Sequence, residues 1–278
     1  DIHYIDLTGG TGTGRKVAAL AGERLVRTTM ELGGKTPVIV CQDANLDGAI
    51  AGSLFSAFVA SGQTCVSGAR FVVHSDIYDQ FITGMAARAD AITLGDPMDD
   101  STQMGPVISQ TSKDKCLRMI AQAKMDGAVQ VAGAQASDLP APFDEGYFVR
   151  PTILKDVRPD HELFLEEVFG PVISITPYDD EAEALVLANT GTFGLGCSIW
   201  SRDISRAHRL SLGIRGGVVW LNDHHRNDPR SVWGGVRDSG FGKENGWDAL
   251  KAYMTKKSVI VRTAAGHDDW FSGSNRYG

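Results

Sequence analysis

The sequence predicts an α/β protein with a mainly parallel open sheet and flanking helices. Three observations carry that prediction. Short apolar runs alternate along the chain with segments whose apolar residues recur at three and four. Glycine or Asp/Asn/Ser turns separate the two kinds of segment, as strand-to-helix connections require. Of the 278 residues, 42% are hydrophobic and 22% charged, which is ordinary material for a packed core.

The segment IHYIDLTG alternates, breaks into the turn Gly9-Gly10-Thr11-Gly12-Thr13-Gly14 and leads into the helical RKVAALAGERL. A short strand then reaches ELGG, and the apolar strand Thr36–Cys41 follows. Leu46–Ala60 has a helical pattern with Asn45 as its N-cap. The small-residue loop SGQTCVSG leads to a strand over Ala69–His74, and Ser75 or Asp76 caps a helix from Ile77 to about Ile92. GDPMDDSTQMGPVIS is a loop, Ser109 to Asp126 a helix closed by Gly127, and VQVAG a strand. Strands follow in GYFVRPTILKDV and FGPVISITPY, then a helix over Asp180–Asn189 and the strand CSIWS. A helix over Ser205–Leu212, the strand GGVVWLND, a glycine-rich turn, the helix Trp247–Tyr253 and a terminal strand SVIVRT complete the order. Only the stretch after Thr263, with Trp270, Phe271 and Tyr277, shows neither periodicity.

The length corresponds to about two domains at roughly 150 residues each. With 27 Lys and Arg against 34 Asp and Glu the formal charge is −7, which argues against a nucleic-acid surface. No apolar run approaches the ~18 residues of a membrane span, and DIHYIDLTGG is no signal peptide. Cys41, Cys65, Cys116 and Cys197 form no C-x-x-C pair and have no His at zinc-ligand spacing, so no metal is expected. Free thiols in a reducing, cytoplasmic compartment are the working picture, with three of the four acting as small buried hydrophobes.

Two features carry chemistry. The glycine turn at residues 9–14 opens a helix, where backbone N–H groups and the helix dipole favour a phosphate. Yet G-x-G-x-x-G fails in every register, meeting Arg15 or Val17 where glycine is needed, and no Gly-Lys-Ser/Thr follows. Phosphate binding and a plain turn both remain open at this point. Because only eight residues precede Gly9, most of any complete dinucleotide-binding sheet would lie upstream of residue 1. The second feature is Cys65, in a loop of small residues that a substrate can approach, with Glu31 upstream at a strand end beside two glycines. A thiol nucleophile needs a lowered pKa or a base, and a covalent intermediate needs an activated water.

Five segments in order, LTGGTGTG, ELGGKTP, GQTC, EEVFGPV and GGVRDSGFGKENG, resemble the aldehyde dehydrogenase superfamily. The resemblance spans nearly the whole chain. It implies a remnant of a Rossmann-type NAD(P)-binding domain at 1–32 and a catalytic domain at 33–235. It further implies a turn and helix returning toward the cofactor domain at 236–257, then an oligomerisation strand and tail at 258–278. It implies Cys65 as the nucleophile that forms a thiohemiacetal and then a thioester, with its backbone N–H holding the oxyanion. Glu31 would be the base for hydrolysis, so the product is a free acid rather than an acyl-coenzyme A. Gly9, Gly10 and Gly14 fall in the family's pyrophosphate turn. Leu32 would lie by the nicotinamide amide, and Glu167 and Phe169 by the nicotinamide ribose. The cofactor implied is NAD or NADP, with NAD favoured, and the assembly a homodimer or homotetramer.

Departures from the family pattern are visible too. Gly10 stands where Ser is usual, and Gly12 where an acidic residue is common. The oxyanion Asn of a Trp-Asn pair and the Lys-Pro-x-Glu ribose segment are not in this chain. The segment Asn222–Trp233 falls at the family's substrate entrance, with Trp233, His225 and Asn227 as candidate substrate residues. His224, His225, Arg226 and Arg230 make it locally cationic, only partly offset by Asp223 and Asp228, which points to an aldehyde with an anionic or aromatic group. Two other readings stand beside the dehydrogenase: a non-catalytic family fragment or interaction module, and a cofactor-independent thiol esterase using Cys65 and Glu31.

Overall fold

The computed structural model describes residues 1–133, 139, 141–263 and 271. The chain begins with β1 (Tyr4–Thr8), α1 (Thr11–Glu23), β2 (Arg27–Glu31) and β3 (Thr36–Val40). It continues through α2 (Leu46–Phe58), β4 (Gly68–His74), α3 (Tyr78–Asp90), α4 (Gln110–Met125) and β5 (Val129–Ala132). Next come β6 (Thr152–Lys155), α5 (Glu162–Leu165), β7 (Val172–Tyr178), α6 (Glu181–Asn189) and β8 (Gly196–Trp200). The last elements are α7 (Ile204–Gly213), β9 (Val218–Leu221), β10 (Gly240–Phe241) and α8 (Gly246–Ala252).

Among the described residues the strands form two sheets. The larger has the order β5-β6-β7-β4-β3-β8-β9 and is parallel except where β5 meets β6. The smaller has the order β1-β2-β10, with β10 antiparallel. Every residue of β3 and of β8 is buried, as central parallel strands covered on both faces must be. Side chains alternate across the pleat. Val38 and Val40 join Ala49, Ile50, Phe81 and Met85 of α2 and α3 in one core. Ile39 and Cys41 join Met119, Phe164, Leu187 and Leu210 of the helices on the opposite face.

The α/β class and nearly every element agree with the sequence pattern. Ser109, Asp180 and Asp203 accept first-turn N–H groups and so set the starts of α4, α6 and α7. Asn45 stands at the N-cap of α2 without a side-chain bond, and α2 ends at Phe58 before a 3-10 turn. Ser75 and Asp76 belong to a 3-10 turn, so α3 starts at Tyr78 rather than being capped by them. The two-residue β10 lies inside the expected glycine turn, where Gly240 pairs with Glu31.

One expected element does not form. Ser258–Thr263 belongs to no strand, and Val259, Ile260 and Val261 are exposed at 79%, 94% and 73%. Three consecutive apolar residues supply no alternation, and Ser258–Thr263 pairs with neither sheet of this chain. Of the aromatic tail, Trp270 and Tyr277 lie outside the described residues, while Phe271 is exposed. Among the described residues no helix is long and apolar enough to cross a membrane.

A buried arginine joins the sheet to the segment that enters it. Arg70 of β4 donates from Nε to the Lys35 carbonyl at 3.1 Å, and from its terminal nitrogens to the carbonyls of Ala188 and Thr190. The last two are carbonyls that the end of α6 leaves without helical partners. Arg70→Met is therefore expected to lower the unfolding free energy in urea by about 2–4 kcal/mol, since three buried acceptors lose their donor. Arg70→Lys should recover little, because a single ammonium does not present a planar fork in three directions.

Candidate active site

The two sheets are joined by Leu32-Gly33-Gly34-Lys35, which runs buried from the end of β2 to the start of β3. Bare glycine backbone is what lets three distant segments meet here. A Cβ on Gly34 would stand 1.9 Å from the Cys65 carbonyl oxygen, and one on Gly33 would stand 2.8 Å from Glu167 Oε2. The Gly34 N–H donates to Glu167 Oε1 at 2.9 Å. The thiol loop and the EEVFGPV segment are thus both seated on the ELGGK turn.

Cys65 follows a turn in which Ala60 and Ser61 hold left-handed φ values of 50° and 57°. Cys65 and Val66 are the central residues of the next turn, closed by the Ser67 N–H to the Thr64 carbonyl at 3.0 Å. Ser67 Oγ ties that turn to the Ser56 and Ala57 carbonyls at the end of α2. Cys65 is half-buried, whereas Cys41, Cys116 and Cys197 are enclosed. Burial pushes those three thiols up to about 11, about 11 and about 12, so they are inert fillers. Burial, followed by the charges of Glu167 and Glu31, also raises Cys65, while the backbone N–H groups of Cys65 and Val66 oppose the rise.

Glu31 is 2% exposed, and neither carboxylate oxygen has a hydrogen-bond partner. Burial first, then the Glu244 carboxylate, lifts it to about 7. Lys243 and the Gly235 backbone N–H pull the other way, the latter without completing a hydrogen bond. A carboxyl poised near neutrality beside a thiol has the protonation behaviour of a general base. Glu167 is raised by burial and held partly down by the Gly34 N–H, Lys115 and Lys35. Lys35 is fully buried with no partner for Nζ, and burial followed by Arg70 lowers it to about 7. Lys35, Thr64, Glu167 and Phe169 line one small cavity beneath the thiol loop.

The glycine turn divides into two roles. Gly9 and Gly10 are open, with nothing within 4 Å of an added Cβ, and Gly10 caps α1 without a side-chain bond. First-turn N–H groups there have no side-chain acceptor, a fit for phosphate oxygens. Gly14 differs: it is buried, and an added Cβ would come within 2.4 Å of the Leu32 side chain. Its part is to bring α1 close to the sheet, and Leu32 spends its side chain on that contact. Thr8 pairs with Glu31 and the Gly9 N–H donates to the Glu31 carbonyl, so the turn abuts the candidate base. Phe169, at φ 56° and 41% exposed, presents its ring beside Glu167.

On the remaining side, Trp233 and Cys65 pack around Val66, Leu195 and Trp220. His225 is half-buried and edge-on to Phe55 at 5.4 Å, and burial lowers its pKa. Asn227 is exposed and accepts from Asn245 Nδ2 at 3.3 Å. The cationic character expected for this loop is cancelled locally. Arg226 pairs with Asp223 and Arg230 with Asp228, each at 2.8 Å, and burial pushes His224 down to about 4. What remains is an aromatic wall. The sequence pattern did not single out Lys35, Lys243 with Glu244, or Ser198, and it placed His224 in a cationic loop where the structure has a buried ring. A lysine inside an apolar strand entry was the one local signal available.

The aldehyde dehydrogenase family model matches residues 1–259. The chain belongs to the aldehyde dehydrogenase family. It is 40% identical over 257 residues to a betaine aldehyde dehydrogenase of Brucella anthropi, covering 92% of this chain and 53% of that protein. A Brucella melitensis relative of the same name is 41% identical over the same span. Among solved structures, betaine aldehyde dehydrogenase from Staphylococcus aureus in complex with NAD+ superposes with a TM-score of 0.93 at 34% identity. That match covers 98% of this chain and 54% of that one. PnpE from Pseudomonas sp. WBC-3 gives 0.92 at 38% identity, covering 97% and 55%. The chain thus spans about half the length of the relatives it matches.

The buried Glu31 sets a pH-dependent cost. A carboxyl raised from its ordinary 4.5 to about 7 contributes stability that is present below 4.5 and lost as pH rises through about 7. Glu31→Gln is expected to raise Tm at pH 8, by the equivalent of about 3 kcal/mol at most, and to change it little at pH 4. A Tm difference independent of pH would contradict the assigned burial.

Proposed function

We propose that the protein carrying this chain oxidises an aldehyde to a carboxylic acid with NAD(P), NAD favoured, through a thioester on Cys65. The observation that carries this reading is the seating of Cys65 and Glu167 on the turn that follows Glu31, beside a carboxyl whose pKa is about 7. The residues present suit a dinucleotide. The open Gly9 and Gly10 at the start of α1 fit its pyrophosphate, and Glu167 and Phe169 fit a ribose. When bound, the cofactor supplies the hydride acceptor.

The chain's own groups account for the rest. Cys65 Sγ loses its proton to solvent water and attacks the aldehyde carbon as the thiolate, which the backbone N–H groups of Cys65 and Val66 favour. The Cys65 N–H then stands ready for the oxyanion of the thiohemiacetal. Once the carbon has been oxidised to the thioester, Glu31 takes a proton from water, which adds to the acyl carbon and releases the acid and the thiol. Low dielectric around Glu31 keeps it basic enough for that transfer and weak enough to be reset.

The aromatic wall supports a neutral aromatic tail, or a quaternary ammonium held by cation–π attraction, over a carboxylate. The relatives' names make betaine aldehyde the first compound to test. We place the protein in a reducing compartment such as the cytoplasm, on account of its free thiols, and in a homodimer or homotetramer in which the exposed Ser258–Thr263 gains a sheet partner.

Cys65→Ala is expected to abolish NAD-dependent absorbance with any aldehyde. Glu31→Gln should retain a burst of about one reduced cofactor per site while steady turnover falls by about 100-fold. In the wild type, kcat should rise with pH through about 7, and that limb should vanish in Glu31→Gln. Ester hydrolysis without NAD and without aldehyde oxidation would instead support the thiol esterase. Betaine aldehyde or benzaldehyde should exceed succinic semialdehyde in kcat/KM, and a preference for the semialdehyde acid would overturn the aromatic-wall reading.

A further inference from the structure

His224 is a buried imidazole in a loop whose neighbours Asn222 and Arg226 are exposed. The Trp220 ring lies against it, centroids 4.8 Å apart, and His225 meets it edge-on at 4.5 Å. Its backbone N–H donates to Asp223 Oδ1 at 2.8 Å, so the residue is fixed at both ends.

The ring's hydrogen bonds define its tautomer. Nε2 lies 2.7 Å from the Val66 carbonyl oxygen, and Nδ1 is hydrogen-bonded to Ser198 Oγ. A carbonyl only accepts, so Nε2 carries the proton; in a neutral ring Nδ1 then takes the single Ser198 hydroxyl proton in preference to the Asp223 carbonyl, which lies 3.0 Å from the same oxygen. Burial keeps the ring neutral. Ser198 is wholly buried in β8, between β3 and β9, so the far end of this connection is anchored on the centre of the large sheet.

The near end is the turn that carries the thiol. The Val66 carbonyl belongs to the 66–67 peptide, while the 65–66 peptide is held by its oxygen against Gly34. Fixing the 65–66 plane fixes the Val66 N–H, and fixing the 66–67 plane fixes the Ser67 N–H that closes the turn on the Thr64 carbonyl; the turn so held carries the N–H groups of Cys65 and Val66. Those N–H groups work against the burial and carboxylates that raise the thiol, so the nucleophile's reactivity depends on the orientation of this turn.

We propose that His224 is a positioning residue for Cys65, transmitting the rigidity of β8 to the nucleophile turn through Ser198 O–H, the imidazole and the Val66 carbonyl. This rests on Cys65 being the nucleophile. Neither Ser198 nor His224 touches the reacting atoms in this role.

The test compares His224→Phe, His224→Gln and Ser198→Ala in the purified protein, each well below its own Tm. The readouts are kcat and KM for benzaldehyde and the pH dependence of Cys65 alkylation by iodoacetamide, mapped by mass spectrometry. His224→Phe is expected to cut kcat by about 100-fold with little change in KM, the scale on which small misplacements act. It should also slow alkylation and move its pH midpoint upward. His224→Gln should restore most of both, because its amide donates to Val66 and accepts from Ser198. If His224→Phe does not fold, Ser198→Ala carries the test, with a several-fold slower alkylation expected. Wild-type alkylation in His224→Phe, or in Ser198→Ala where it stands in, overturns the proposal. So does equal impairment of Phe and Gln, which would mean packing volume and not hydrogen bonding. Undiminished aldehyde turnover by Cys65→Ala would defeat the underlying nucleophile reading separately.

Discussion

The Cys65 carbonyl oxygen rests on the bare Cα of Gly34, and the rest of the site depends on that contact. Any side chain at Gly34 would drive the thiol turn away from the ELGGK segment, because the clash is with backbone and has no rotamer to relieve it. Gly33 plays the same part for Glu167. Two adjacent glycines therefore bring the segment joining the two sheets into contact with the thiol turn and the EEVFGPV segment at once. Arg70, bonded to the next carbonyl in line, holds the joint from the core side.

Around that joint the balance of charges is set by burial before pairing. Glu31, Glu167, Lys35 and Cys65 all shift in the direction of their neutral forms, and in each case loss of water is the largest cause. Glu31 and Lys35 reach about 7 from opposite sides, which leaves both able to exchange a proton near neutral pH. The sulfur is opposed only by local backbone N–H groups. This is why the orientation of a turn, and hence of a histidine behind it, matters for a group that carries no strong counter-ion.

The strands, helices and their order were legible because burial on both faces of a parallel sheet leaves continuous apolar runs, and helix starts carry Ser109, Asp180 and Asp203. Cys65, in a loop of small residues, and Glu31, at a strand end beside two glycines, stood out as candidates, and the family resemblance is what assigned them roles. The terminal SVIVRT pairs with no strand of its own chain, because β-propensity does not supply a partner strand. Asp223 and Asp228 were visible in the loop's sequence as a partial offset to Arg226 and Arg230, but only the structure shows which acid each arginine meets. Gly14 illustrates a subtler limit: a glycine in a phosphate-type turn turned out to pack against Leu32.

By itself the sequence determined the α/β class and the alternation of elements, which follow from local composition and periodicity, and its motifs marked Cys65 and Glu31 as candidates. Only the tertiary structure decided that Glu31 titrates near 7, that Lys35 is without a partner, and that Ser198 and His224 reach the nucleophile's turn. Those properties arise from exclusion of water and from contacts between residues far apart in the chain, and neither is written in any local stretch of sequence.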